Sequence, residues 1–128
     1  MSAEWKWIDP DVVQAIHTSQ IARHGGLDGV RDPGLIDSAL ARPRNLAAYG
    51  NPDAADLAAA YACGIAKNHG FLDGNKRTGL VVALVFLAEN GSYTTVDQLE
   101  VVRLMEAVAD GTMDEPAAAD WFRSRLHR

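Results

Sequence analysis

A nine-residue segment, residues 69–77, gathers a histidine, a carboxylate, an amide and two adjacent cations in the order HGFLDGNKR. The apolar run Leu80–Ala88 follows it almost at once. That order predicts a loop leading into a buried helix, with the reactive side chains at the helix N-terminus. Backbone N–H groups at such a terminus bind anions, and the two cations would converge on the same anion.

The two cations of this segment stand where helix energetics disfavours them. Lys76 and Arg77 would lie in the first turn of the following helix, where the macrodipole makes each cation cost about 0.3–1 kcal/mol. Two of the three lysines of the chain, Lys67 and Lys76, flank His69. Positive charge is therefore concentrated here although the formal net charge is −5, which indicates a bound anion such as phosphate.

The side chains of the segment suggest distinct roles in phosphate chemistry. His69 is the best candidate for a general base, because the unperturbed pKa of histidine lies near 6.5. Asp73 alone would be a turn or helix-cap residue, but beside His69 and the cations it is a candidate to coordinate Mg²⁺ or to orient a hydroxyl. Gly74 would let the backbone approach a ligand closely. Asn75 could cap the helix or bind phosphate, and Lys67 could be an outer phosphate contact or a solvated helix residue.

Other side chains have structural explanations. Phe71 is expected to be a core anchor that fixes the loop. His17, His24 and His127 lack reactive neighbours in the sequence and are expected to be structural or surface residues. The single Cys63 lies in alanine-rich sequence, which predicts a buried thiol and excludes an internal disulfide.

Length and composition restrict the class of protein. A chain of 128 residues that is 48% hydrophobic suits one domain, residues 1–128. The acidic net charge argues against a general nucleic-acid surface. The longest apolar run is about half of the roughly 20 residues that a membrane span needs, and residues 1–10 lack the apolar core of a signal peptide. We therefore expect a cytoplasmic protein without a membrane or direct nucleic-acid partner.

Turn and capping residues predict that the first half of the chain is helical. The pairs Asp9–Pro10 and Asp32–Pro33 are helix starts, and Gly25–Gly26 ends the first helix. The second helix is predicted to end near Arg42, before a long loop over Pro43–Pro52 that could contain a hairpin. Ahead of the first helix, residues 5–8 could form a short extended lead-in.

The second half is predicted to contain four further helices. Their predicted bounds are Asp53 to about Asn68, Asn75–Asn90, about Thr95–Asp110 and Asp114–Arg125. The second of these is apolar nearly all round, so we expect it to be the central buried helix. Thr95 with Gln98 has the spacing of a capping box. The cations of the basic end, residues 123–128, would complement the C-terminus of the last helix.

The reactive segment resembles the motif of the Fic/Doc superfamily, specifically its Doc (death-on-curing) branch. That branch has the pattern His-x-Phe-x-(Asp/Asn)-(Ala/Gly)-Asn-Lys-Arg, which the chain matches from His69 to Arg77. Residues 24–29 and 32–36 resemble the first inter-helix turn of Doc proteins. Residues 86–91 resemble the end of their central helix, so the likeness covers nearly the whole chain.

The resemblance implies a compact all-α domain of about six helices around a central buried helix. It implies the toxin of a type II toxin–antitoxin system, neutralised by a Phd-like antitoxin whose C-terminal segment folds into a groove. For the Doc branch it implies phosphorylation of a hydroxyl of elongation factor Tu, with ATP and Mg²⁺, which stops translation. Carried over by position, His69 is the base and Asp73 assists it or binds Mg²⁺. Asn75, Lys76 and Arg77 hold phosphates.

Two other functions remain open. Fic AMP-transferases read His-Pro-Phe-x-(Asp/Glu)-Gly-Asn-Gly-Arg-x-x-Arg, whereas Gly70, Lys76 and Leu80 stand here at the positions of the proline, the second glycine and the second arginine. These departures favour transfer of the γ-phosphoryl group over transfer of AMP. The second alternative is a non-catalytic antitoxin-binding module. The intact set of residues from His69 to Arg77 argues against it.

Overall fold

A computed structural model describes residues 4–127, and within them the chain forms six α-helices and two short strands. The elements are α1 Pro10–His24, α2 Pro33–Tyr49, α3 Ala54–Asn68, α4 Asn75–Glu89, β1 Tyr93–Thr94, α5 Gln98–Asp110, α6 Glu115–Arg123 and β2 Leu126–His127. The strands pair antiparallel, with Tyr93 opposite His127. The predicted all-α fold of about six helices is confirmed. Residues 1–3 and residue 128, the last cation of the predicted basic end, lie outside the described part.

The core is built around two helices, α3 and α4. Ten of the 15 residues of α3 are buried, against eight of the 15 residues of α4. Helix α4, which we expected to be the central buried helix, is one of two central helices, and α3 is the more buried of the pair. Alanines fill much of α3, and their small side chains let α2, α4 and α6 approach it closely from different sides.

Helix α2 is longer than predicted and runs through Pro43 to Tyr49. The predicted end near Arg42 and the long loop over residues 43–52 are wrong. A proline inside a helix costs about 3 kcal/mol or more. Here the Pro43 ring is fully buried, and Leu46 and Ala47 beyond it pack against the core. This burial of apolar surface offsets the cost of the missing hydrogen bond, and residues 50–53 alone connect α2 to α3.

Two boundaries in the last third of the chain also differ from the prediction. The N-cap of α5 is Asp97, whose side chain accepts from Glu100 N at 2.8 Å, and Thr95 lies outside the helix. Aspartate is a stronger N-cap than threonine, so it takes the role. Helix α6 ends at Arg123, and the chain beyond it turns into β2. Among residues 4–127, no helix is long and apolar enough to cross a membrane.

The lead-in before α1 is held by side chains and forms no strand. Asn90, just after α4, accepts from Lys6 N at 2.9 Å and donates to Lys6 O at 3.1 Å. Ile8 N donates to the Tyr61 hydroxyl at 3.1 Å. The segment before α1 is thus fixed to α3 and α4 without a partner strand.

Candidate active site

His69 is the residue at which α3 ends. It is the C-cap of that helix and has left-handed backbone angles, φ 52° and ψ 46°. Among residues 4–127 it is the only residue other than glycine with a positive φ. This conformation costs about 1–2 kcal/mol in an L-residue, so the surrounding structure must hold it. The side chain of His69 is exposed and faces the pocket described below.

Phe71 and Asn75 close the loop that follows His69. Phe71 is 1% exposed, which confirms it as the core anchor. The Asn75 side chain accepts from Phe71 N and donates to Phe71 O, each at 3.0 Å. In this structure both polar atoms of the Asn75 amide are therefore engaged by the loop, and the amide does not cap α4. Its backbone N–H is the group that Asn75 could offer to a phosphate.

His17, on α1, supports the same loop from inside the core. Its ring stacks on Phe71 with a centroid distance of 3.8 Å and an interplanar angle of 7°. Its Nε2 lies 2.8 Å from the carbonyl oxygen of Asp73. Because a carbonyl can only accept, this contact requires the proton on Nε2. His17 is fully buried, as suits a structural residue, but no local sequence pattern linked it to the reactive segment.

Asp73 is oriented by the turn between α1 and α2. Its Oδ2 accepts from Leu27 N at 2.7 Å. Gly26 stands against it with φ 114°, and a Cβ on Gly26 would lie only 3.1 Å from the Asp73 Cβ. The turn therefore needs glycine at this point. One carboxylate oxygen is fixed by the turn, and no hydrogen bond to the other is formed by residues 4–127, so it remains available to a ligand.

The N-terminus of α4 offers donors to an anion. Gly74 is its N-cap with φ 77°, and no side chain caps the first-turn N–H groups. Lys76 and Arg77 are exposed, and within the described residues neither forms an ion pair. Open backbone donors and two unpaired cations at one helix end are the arrangement that binds phosphate groups.

These groups border one pocket of about 470 Å³, within the size range of small-molecule sites. The predicted residues that line it are His69, Asp73, Gly74, Asn75, Lys76 and Arg77. Lys67 does not line it. Lys67 lies in the last turn of α3 and is exposed, so its role as an outer phosphate contact stays a prediction.

The opposite wall of the pocket comes from α5 and was not predicted. Val101, Val102 and Met105 make this wall largely apolar, and Glu106 adds a carboxylate. Leu80 lies at the base of the pocket and is 6% exposed. The sequence holds no local signal for this wall, because α5 is brought to the pocket only by tertiary packing.

A magnesium ion at this site would need ligands from a bound substrate as well as from the protein. No group of three or more His, Cys, Asp or Glu side chains among residues 4–127 could hold a metal ion by itself. Mg²⁺ is typically held by one or two carboxylates together with substrate phosphates, and Asp73 can supply one.

Comparison with known proteins identifies the family of the chain. The family model described as "Fic/DOC family" matches residues 7–87, which include the pocket residues of α4 and of the loop before it. "Protein kinase doc" of Escherichia phage P1 is 36% identical over 117 residues, covering 91% of this chain and 92% of that protein. "Toxin Doc" of Mycolicibacterium smegmatis (strain ATCC 700084 / mc(2)155) is 41% identical over 99 residues, 75% of this chain and 71% of that protein. The chain therefore belongs to the Fic/DOC family, on its Doc branch.

Proposed function

We propose that the chain is the toxin of a toxin–antitoxin pair and acts as an ATP-dependent protein phosphotransferase. The proposed acceptor is a hydroxyl of elongation factor Tu, and its modification would stop translation. The observation that carries the proposal is the meeting of His69, Asp73 and two unpaired cations at the uncapped start of α4. The name of the phage P1 relative, "Protein kinase doc", supports this reaction type.

In the proposed reaction the acceptor hydroxyl oxygen attacks the γ-phosphorus of ATP. The bond from that phosphorus to the β–γ bridging oxygen breaks, ADP leaves, and the hydroxyl proton passes to the imidazole of His69. Lys76, Arg77 and the first N–H groups of α4 would hold the phosphates and stabilise the charge of the transition state. Little covalent chemistry is asked of the protein, so positioning and charge carry most of the rate.

Asp73 would hold the magnesium of the nucleotide or orient the acceptor hydroxyl. Mg²⁺, when bound with ATP, neutralises phosphate charge. The carboxylate is suited to either role because Asp73 lines the pocket and Leu27 N engages only one of its two oxygens.

AMP transfer is the less well supported alternative. AMP transfer requires the α-phosphorus near His69 and the β- and γ-phosphates held beyond it. The position of the second Fic arginine is occupied here by Leu80, a buried apolar side chain at the pocket base. The position of the second Fic glycine carries Lys76, whose stem would fill the space that the tail requires. Both features favour a nucleotide with its γ-phosphate near His69.

An antitoxin is the proposed protein partner. The resemblance to Doc proteins implies a Phd-like antitoxin whose C-terminal segment lies in a groove of the toxin. Helices α1 and α4 border an apolar hollow of about 410 Å³, lined among others by Val12, Ile16 and Val81. Val12 is 42% exposed there. An amphipathic helix could place its apolar face in this hollow, so we propose it as the antitoxin site.

Growth arrest tests the catalytic proposal. Expression of the parent chain should arrest growth, whereas the His69→Ala variant should not, because it lacks the base. His127→Ala is a matched control, since His127 is also an exposed histidine but lies in β2, away from the pocket. Thermal melts of the purified variants check folding. A folded His69→Ala variant as toxic as the parent would remove the proposed role of His69.

Co-expression tests the antitoxin proposal separately. The small gene beside the toxin gene should restore growth and yield a co-purifying complex. Val12→Asp should weaken this complex, because it places a charge in the apolar hollow, while Leu99→Asp should not. Leu99 is 57% exposed and lines neither the hollow nor the active-site pocket. Equal binding by both variants would exclude the hollow as the antitoxin site.

A further inference from the structure

Arg31 binds the backbone around His69. Its Nε donates to the carbonyl oxygen of His69 at 2.7 Å, and its Nη2 donates to the carbonyl oxygen of Asn68 at 3.4 Å. The backbone N–H groups of Arg31 and Asp32 both donate to the carbonyl oxygen of Gly70, at 2.8 and 3.0 Å. Two adjacent residues before α2 thus bind three consecutive carbonyls, those of residues 68–70.

These carbonyls flank the one strained residue of the described chain. The left-handed angles of His69 are unfavourable for an L-residue and persist only where neighbours fix them. The carbonyl groups of residues 68 and 69 lie on either side of the φ and ψ torsions of His69. Hydrogen bonds to both oxygens therefore restrict those torsions. The orientation of the Cα–Cβ bond, and hence of the imidazole, follows from the same torsions.

The other side of the loop leaves His69 little room to relax. A Cβ on Gly70 would overlap the Ile36 side chain and lie 3.1 Å from Ile36 N. Gly70 is therefore packed tightly against the first turns of α2. Gly70 is confined by α2, and Arg31 holds the carbonyls of residues 68 and 69. The conformation of His69 therefore depends on contacts with residues 31–36.

We propose that Arg31 is a positioning residue for the base of the transfer reaction, acting through the His69 backbone. The proposal rests on the proposed function, in which His69 takes the proton of the acceptor hydroxyl. Arg31 is not among the side chains that line the pocket, so its effect would not come from contact with the nucleotide. Its guanidinium suits the role because its several fixed donors can engage both carbonyls, whereas lysine offers a single point charge.

Kinetics of three folded variants test the proposal. Arg31→Ala should lower kcat by about ten- to a hundredfold, the scale of a misplaced catalytic group, with the KM for ATP nearly unchanged. Arg31→Lys should give an intermediate kcat. Arg23→Ala is the matched control, because Arg23 is also exposed and basic but lies in the last turn of α1, and it should behave as the parent. A raised KM for ATP with an unchanged kcat would instead make Arg31 a direct phosphate contact and overturn the proposal.

An NMR measurement gives a readout that does not depend on activity. The three-bond HN–Hα coupling of His69 reports its φ, and in Arg31→Ala it should move away from the value for a left-handed residue. Parent-like coupling together with parent-like kcat in that variant would refute the positioning role. If the parent chain transfers no phosphate at all, the proposed function fails, and the coupling still decides whether Arg31 holds His69.

Discussion

Alanine substitution of two helical glycines should give opposite effects on stability. Gly64 on α3 and Gly79 on α4 both lie inside helices of the central pair. In an exposed helix either substitution would stabilise by about 1 kcal/mol, because glycine loses more backbone entropy on folding. The packing around the two positions makes the difference.

The space for a new methyl group decides whether each substitution stabilises or destabilises the fold. A Cβ on Gly79 would lie 2.8 Å from the backbone oxygen of Ala62, closer than atoms in contact can be. A Cβ on Gly64 would meet its nearest neighbours, atoms of Ala39, at 3.4 Å, an ordinary contact. Overpacking costs about 1–3 kcal/mol, so Gly79→Ala should destabilise by up to about 2 kcal/mol after the helix gain of about 1 kcal/mol is subtracted. Gly64→Ala should be neutral or stabilise by up to about 1 kcal/mol.

Thermal and urea unfolding of the two variants and the parent measure this directly. The difference of about 2 kcal/mol between the variants corresponds to about 8 °C in Tm for a chain of this length. A Gly79→Ala variant at least as stable as Gly64→Ala would contradict this prediction, because it would show that α3 and α4 separate at no cost. Gly79 lies one turn after the N-terminus of α4, so Gly79→Ala should also shift Lys76 relative to His69 and reduce toxicity below its melting temperature.

Three further predictions concern ionisable groups. Hydrogen bonds from Arg123 lower the pKa of Asp53 from 3.8 to about 2. This stabilisation is complete above the unfolded pKa of 3.8 and is lost as the pH falls through about 2. Asp53→Asn removes the titrating group, so the loss of stability in acid should be about 1 kcal/mol smaller in the variant than in the parent. The effect is this small because both side chains are partly solvated. An acid unfolding curve unchanged by the substitution would contradict this. Burial raises the pKa of Cys63 to about 11, so a thiol reagent near neutral pH should label the thiol only after unfolding, and rapid labelling of the folded chain would contradict the burial. ATP at roughly one hundred times its Kd should stabilise the parent by about 2.7 kcal/mol, and replacing Lys76 and Arg77 together by Met should remove most of this gain; an undiminished gain would speak against their phosphate contacts.

Local signals in the sequence predicted the start of every helix within one residue except that of α5. Asp9, Asp32 and Asp53 each accept from backbone N–H groups of the helix that follows, as their positions predicted. The reactive segment was also placed correctly between two helices. An N-cap and a helix N-terminus depend on a few consecutive residues, so these features can be read from the sequence alone.

Features that depend on distant residues could not be predicted. Pro43 remains within α2 because of what its ring packs against, and the residue type alone indicates a break. The contacts of His17 with Phe71 and of Arg31 with His69 join residues far apart in the chain. Each links a separate helix end to the reactive segment, and no periodicity or spacing marks such pairs.

The central claim is that the chain transfers the γ-phosphoryl group of ATP with His69 as base. The most direct test incubates the purified chain with a translation extract and ATP labelled at either the α- or the γ-phosphorus. We expect label from γ-labelled ATP on a band the size of elongation factor Tu, and no label with a folded His69→Ala variant. Label from α-labelled ATP alone would contradict the claim and establish AMP transfer instead.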